Sequence, residues 1–211
     1  VKVFPYKKNE TLRFHVKVFA TESGFDSYTK RVTGRSIFDG MGKMLAWYMP
    51  ITKELVGWKD KELFRTMTHE GLHQYIDYFV DQCPMWFNEG YACYFETSTS
   101  EEAKFNENRH QTAKYALGLK KFVSLRELLL MNRQQWDAGG EAVLRYGQSW
   151  SFIYFLIKQG RKDLLDAYFD ELMKGRTQQQ AYDAVFGPGK ANVDELEAKW
   201  RLALFNDKYE P

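Results

Sequence analysis

Thr66-Met67-Thr68-His69-Glu70-Gly71-Leu72-His73-Gln74-Tyr75 is the stretch that decides how this chain is read, and past Pro84 it is followed by Trp86-Phe87-Asn88-Glu89-Gly90. On a helix turning about 100° per residue, residues four apart lie on one face roughly 40° from each other, so His69 and His73 can aim two imidazole nitrogens at one metal ion. Glu70 stands one step round the helix from His69. It is displaced too far to be the natural third ligand, but its carboxylate can reach a water on the same metal and take its proton. Two histidines leave a catalytic zinc site incomplete, because such sites take three protein ligands and keep a position open. The next donor downstream is Glu89, just after Pro84, a residue favoured in the first turn of a new helix. Glu96 lies seven residues further on, about 10.5 Å along a straight helix, so one metal cannot choose freely between the two, and Glu89 is the expected ligand.

Working outward, apolar residues at Leu63, Met67, Leu72, Ile76, Phe79 and Val80 predict a buried helix over 60–80 with the histidines in its middle, and a second helix is expected over 85–97. Upstream, residues 12–21 alternate apolar and polar, the pattern of a half-buried strand, and 25–32 reads as a short helix. Arg35–Phe38 and Lys43–Tyr48 are β-prone runs around the turn signal Asp39-Gly40-Met41-Gly42 and predict a hairpin. Downstream, Thr99-x-x-Glu102, Ser124-x-x-Glu127, Thr177-x-x-Gln180 and Asn192-x-x-Glu195 resemble capped helix starts, and Gly160, Gly175 and Gly187-Pro188 supply stops. Helices are therefore expected over 102–119, 125–131, 141–159, 162–174, 178–186 and 192–206. The fold class is α+β: a small mixed or antiparallel sheet with the metal-site helices over 1–99, then a mostly helical lobe over 100–211, packed as one unit.

The 211 residues suit one large domain, and 44% hydrophobic residues with 16 Phe, 13 Tyr and 6 Trp supply an ample core. Thirty basic against 28 acidic residues give a net charge of +2, too small for a nucleic-acid footprint. No apolar run approaches a membrane span. The chain begins Val1-Lys2-Val3 rather than with Met, and removal of a leader would favour an extracytoplasmic or secreted location. Cys83 and Cys93 are too few for a disulfide framework and read first as free buried thiols, with a single staple or a metal link as alternatives. His15, in the alternating strand, and His110, in a polar helical stretch, lack ligand spacing to the motif.

The chain resembles the gluzincins, H-E-x-x-H peptidases whose third ligand is a glutamate on the following helix, and most closely their peptidase MA-like bacterial branch. The residues that carry the resemblance are His69-Glu70-Gly71-Leu72-His73-Gln74-Tyr75, Trp86-Phe87-Asn88-Glu89-Gly90-Tyr91-Ala92 and Tyr146-Gly147-Gln148-Ser149-Trp150, within a looser likeness from Leu12 to Phe205. Only the first two motifs are specific. The resemblance implies a zincin-like fold, Zn2+ on His69, His73 and Glu89, Glu70 as general base, and hydrolysis of peptide bonds in a peptide or protein substrate. It also implies that a sheet edge beside the metal helix, here the expected hairpin, holds substrate in extended form, and that a Tyr or His from the second lobe donates to the oxyanion. Tyr146 is the candidate, the alternative being a tyrosine that merely packs; Tyr91, Tyr94 and His110 are the next to consider. Thermolysin has an aspartate four residues after its glutamate ligand where this chain has Cys93, so the residue that supports the histidine is not given by the pattern. A catalytically silent zinc-binding domain that recognises a protein or glycan is the rival reading, and a helical scaffold with a chance motif is the third. The oligomeric state is not indicated.

Overall fold

Thr21 and Gly34 bracket the first helix, α1 (Glu22–Thr33): the Thr21 hydroxyl accepts the Gly24 N–H, and Gly34 at φ 73° turns its own N–H back onto the Lys30 carbonyl. The structure is a computed structural model that describes residues 13–39, 44–98 and 103–209. Among the described residues three strands, β1 (His15–Phe19), β2 (Ala46–Met49) and β3 (Glu54–Trp58), form one sheet in the order β1-β3-β2. β1 runs parallel to β3 from His15 opposite Glu54 to Phe19 opposite Trp58, and β2 runs antiparallel to it from Ala46 opposite Gly57 to Met49 opposite Glu54. The sheet is mixed, and β2 is one of its edges.

The expected hairpin is corrected. Arg35–Phe38 is not a strand, because the Asp26 carboxylate of α1 accepts from the Ser36 hydroxyl at 2.7 Å and the Ile37 N–H at 3.0 Å and pins the segment to that helix. Ile37 then buries with Phe25, Trp47 and Val56. The partner of β2 is β3, through a turn in which Lys53 has φ 53°. The turn residues Gly40–Gly42 lie outside the described residues. β1 also departs from its pattern: Phe14, Val16 and Val18 are 41%, 51% and 54% exposed, so the apolar phase does not mark a buried face.

α2 (Leu63–Phe79) lies against the sheet where Gly57 makes room, since a Cβ there would meet Met67 and Leu63 of the helix at 3.0 and 3.1 Å. Val80 leaves the helix in extended conformation, Gln82 takes φ 53°, and Pro84 opens α3 (Met85–Phe95), which is buried almost throughout. The second half holds α4 (Glu107–Gly118), α5 (Leu125–Leu130), α6 (Arg133–Asp137), α7 (Ala142–Lys158), α8 (Lys162–Met173), α9 (Gln178–Phe186) and α10 (Val193–Phe205). Ser124, Thr177 and Asn192 cap their helices as expected, Thr177 in a full capping box with Gln180. The Thr99-x-x-Glu102 start lies outside the described residues; α4 is capped by Asn106 instead. α6, with its own Asn132–Gln135 capping box, was not expected.

α7 is the axis of this half. A Cβ on Gly90 of α3 would stand 3.0 Å from the Ser149 backbone, and one on Gly147 would stand 2.9 Å from the Ala113 backbone nitrogen of α4. The two glycines therefore let α3 and α4 seat against α7 at backbone distance. One apolar cluster runs from Leu72 of α2 through Trp86, Trp136, Trp150 and Trp200 to Tyr209. Among the described residues no helix is long and apolar enough to cross a membrane, and Cys83 and Cys93 are free thiols.

Candidate metal centre

His69 and His73 sit one turn apart in α2 with ring centroids 4.8 Å apart, and the helical spacing puts both on the face turned to α3. From α3, Oε2 of Glu89 reaches 3.3 Å from Nε2 of His69 and 3.5 Å from Nε2 of His73. Two donors that each lie about 2.0–2.1 Å from a tetrahedral zinc stand roughly 3.3–3.4 Å apart. The spacing of the three atoms therefore fits one such ion. A second observation agrees: Oε2 of Glu89 is buried and accepts no hydrogen bond of acceptable geometry, although both rings are within reach. A buried carboxylate oxygen left in this way is a group awaiting a partner.

The far sides of both rings are held. Nδ1 of His73 is 2.9 Å from Oδ1 of Asn88, and Nδ1 of His69 is 2.9 Å from Oε1 of Glu96. Each contact assigns the ring proton to Nδ1 and frees Nε2 to ligate. Glu89 and Glu96 thus meet His69 from opposite edges of one ring, which is how two carboxylates two turns apart both touch it. His69, Cys93 and Glu96 also offer donor atoms within 4.8 Å of one another. That cluster is a poor cation site, because Glu96 already binds Arg109 at 2.6 Å, Asn106 at 3.1 Å and Arg65 at 3.2 Å, and a cation would face two guanidinium groups.

Glu70 lies beside the two histidines and is tied to the sheet, one carboxylate oxygen accepting the Tyr48 N–H of β2 at 2.9 Å. Leu45 accepts from Trp58 of β3, so the backbone groups of Ala46 and Tyr48 face outward from the ladder, and the Tyr48 N–H is one of these. His69, Glu70 and His73 all offer an atom within 4.8 Å of the others. Burial raises the Glu70 pKa, against the opposing pull of His73, His69 and the Tyr48 N–H. Burial also works on Glu89, but His69 and His73 overcome it and hold that carboxyl down at about 2. Both histidines titrate above the usual range: burial opposes the charged ring, and Cys93, Glu89 and Glu96 outweigh it at His69 as Glu89 does at His73.

A cleft of about 400 Å³ opens beside the centre, lined by Tyr48, His73, Asp77, Asn88, Glu89 and Arg133 among others. Tyr146 of α7 lies half-buried between the Trp136 ring and the Arg109 guanidinium, 5.6 and 5.5 Å away. Burial and then the Glu89 charge raise its hydroxyl pKa. Tyr91 is buried in the core, and His110 bonds Asp207 and Tyr209. His15 offers its carbonyl to Gln74. The sequence reading gave no role to Asn88, Arg109 or the Tyr48 N–H, and it weighed Glu96 only as a rival ligand. Asn88 had a signal in its place directly before Glu89; the other three depend on tertiary contact.

A small mixed sheet laid on a helix with two histidines facing a buried glutamate, completed by a helical second half, defines a zincin-like, peptidase-like protein with a candidate His/Glu metal site. The family model of the Peptidase MA superfamily matches residues 30–206, and the chain belongs to that superfamily. No curated protein matches it.

Proposed function

We propose that this chain is a zinc peptidase of the gluzincin type, with His69, His73 and Glu89 as ligands, Glu70 as general base and a peptide or protein as substrate. The observation that carries the reading is the spacing of the Glu89 oxygen from the two Nε2 atoms, 3.3 and 3.5 Å, around an oxygen with no other partner. Zinc held there would supply Lewis acidity toward a scissile carbonyl and toward water. Everything else is done by the chain. Asn88 and Glu96 keep the rings oriented. Glu70, anchored through one oxygen on the Tyr48 N–H, uses the other to take the proton of the attacking water and return it to the leaving amine. A raised pKa suits a carboxylate that must first accept a proton and then give it up. Tyr146, if its hydroxyl turns into the cleft when substrate binds, donates to the oxyanion.

The test is metal analysis of the purified chain followed by cleavage assays on unfolded proteins and mixed peptides. About one zinc per chain, lost in His69→Ala and in His73→Ala, with hydrolysis in the wild type, is the expected result. Stoichiometric zinc that survives both substitutions would place the metal elsewhere. Zinc bound with no hydrolysis of any substrate would favour a silent, partner-recognising domain.

A further inference from the structure

Resting on the peptidase reading above, we infer that the chain cuts inside a peptide rather than trimming an end: an extended substrate lies along β2 with several residues on each side of the centre. Two clefts flank the histidine pair. The one already described meets the centre at His73 and follows the second half of α2 past Asp77 to Val80. A second, of about 320 Å³, meets it at His69 and follows the first half of the helix back through Thr66 to Glu62. The two residues that flank β2 border one cleft each, Leu45 the second and Pro50 the first, where Tyr48 joins it. Strand and helix therefore run the same way, and the clefts follow one another along them with the centre between. From Leu45 to Pro50 an extended chain covers about 16 Å, which matches about five residues of a substrate strand. The Tyr48 N–H on this edge is held by Glu70, so the Tyr48 carbonyl and the Ala46 backbone groups remain to pair with a substrate main chain.

Trimming an end requires a charge beside the scissile bond to hold the terminal amine or carboxylate. Near this centre the charges are paired with one another. Asp77 accepts from the Tyr48 hydroxyl and from Lys53, Arg133 donates to Asp137 at 2.8 Å, and Glu96 is held by Arg109 and Arg65. The cleft acids that pair with no described side chain are Glu62 and Asp81, and they stand at the two far ends. Glu62 precedes His69 by two helical turns, and Asp81 follows His73 by more than two, so each is about 10 Å or more from the nearer histidine. That is the length of about three extended residues. Water would then add across an internal C–N bond, leaving one peptide with a new carboxylate and another with a new amine.

The experiment gives the full zinc-loaded chain a mixture of ten-residue peptides in two forms, with free termini and with both ends blocked by acetyl and amide groups, and reads the products by mass spectrometry. Blocked peptides should be cut internally, with kcat/KM within about threefold of the free ones, because no contact to a terminal charge is lost. Cleavage that needs a free end, or stepwise release of one to three residues from one end, overturns the inference and leaves the peptidase reading standing. No cleavage of either form overturns both. A binding measurement tests the two-sided groove without turnover. Zinc-loaded Glu70→Gln should hold a labelled blocked peptide uncut, and adding Thr66→Trp, which fills the cleft at His69, or Pro50→Trp, which fills the one at His73, should each weaken that binding by about tenfold or more. Weakening by only one of the two places the peptide on a single side of the centre and overturns the inference.

Discussion

Glu70, the proposed base, and His69, a proposed ligand, are adjacent in sequence yet meet different partners, one a β2 amide and the other Glu89 and Glu96. Glu70→Gln keeps the size of the side chain but cannot accept a proton, so zinc content should be unchanged while kcat falls by several orders of magnitude, measured on any peptide the wild type cleaves. Undiminished cleavage would mean a contaminant or another base. Tyr146→Phe tests the oxyanion role: kcat and kcat/KM should fall together by on the order of 100-fold with KM little changed, and an unaltered rate would return Tyr146 to the packing against Trp136. At this scale the sequence was readable where spacing alone sets geometry, as at His69, Glu70 and His73. Glu89 could be placed because Pro84 restarts the helix. Glu96 was weighed only as a rival ligand, since nothing in a linear sequence tells which nitrogen of His69 a carboxylate will meet, or that Arg109 will cross from another helix to hold it.

Helices whose start and stop residues are local were legible almost to the residue: Thr177 with Gln180 opens α9, and Ser124 opens α5. The sheet was not. Glu54–Trp58 carries no alternation because it is the central strand, with Leu55 and Val56 both buried, one toward α2 and the other toward Phe25. Without it, β2 was assigned to the wrong hairpin. The close approach of α3 and α4 to α7 makes a sharper prediction. In an open helix Gly→Ala stabilises by up to about 1 kcal/mol. At Gly90 and Gly147 the new methyl would stand about 3 Å from backbone atoms that cannot turn aside, and overpacking of that kind typically costs about 1–3 kcal/mol. Gly90→Ala and Gly147→Ala should therefore lower the urea midpoint, whereas Gly118→Ala, with nothing within 4 Å, should leave or raise it. Equal midpoints for all three would remove close packing as the reason for glycine at these positions.

Across the whole molecule, charge and metal binding pull stability in opposite directions with pH. The folded pKa values of His69 and His73 lie above the ordinary 6.5, so in the zinc-free protein their contribution is full below that value and is lost as pH rises through the raised ones. Glu89 is held at about 2 against an ordinary 4.5, so its contribution is present above 4.5 and is lost as pH falls toward 2. The zinc-free chain should accordingly have its highest Tm in mildly acid solution and lose stability toward alkaline pH. Zinc requires unprotonated imidazoles, so the stabilisation on adding it, read as a rise in Tm, should grow as pH rises, and it amounts to about 4 kcal/mol when free zinc exceeds Kd a thousandfold. A gain that shrinks with pH would contradict the ligand set. The distribution of contacts along the chain carries one more consequence, for the order of events in folding. His69, His73, Glu89, Glu96 and Arg109 all fall within residues 69–109, so the centre closes only short loops, whereas β1 must find β3 across α1 and β2. The centre can then be assembled while the sheet is still unpaired, and zinc present from the start of refolding should accelerate it rather than only slow unfolding. A stopped-flow refolding rate indifferent to zinc would put assembly of the centre after the barrier.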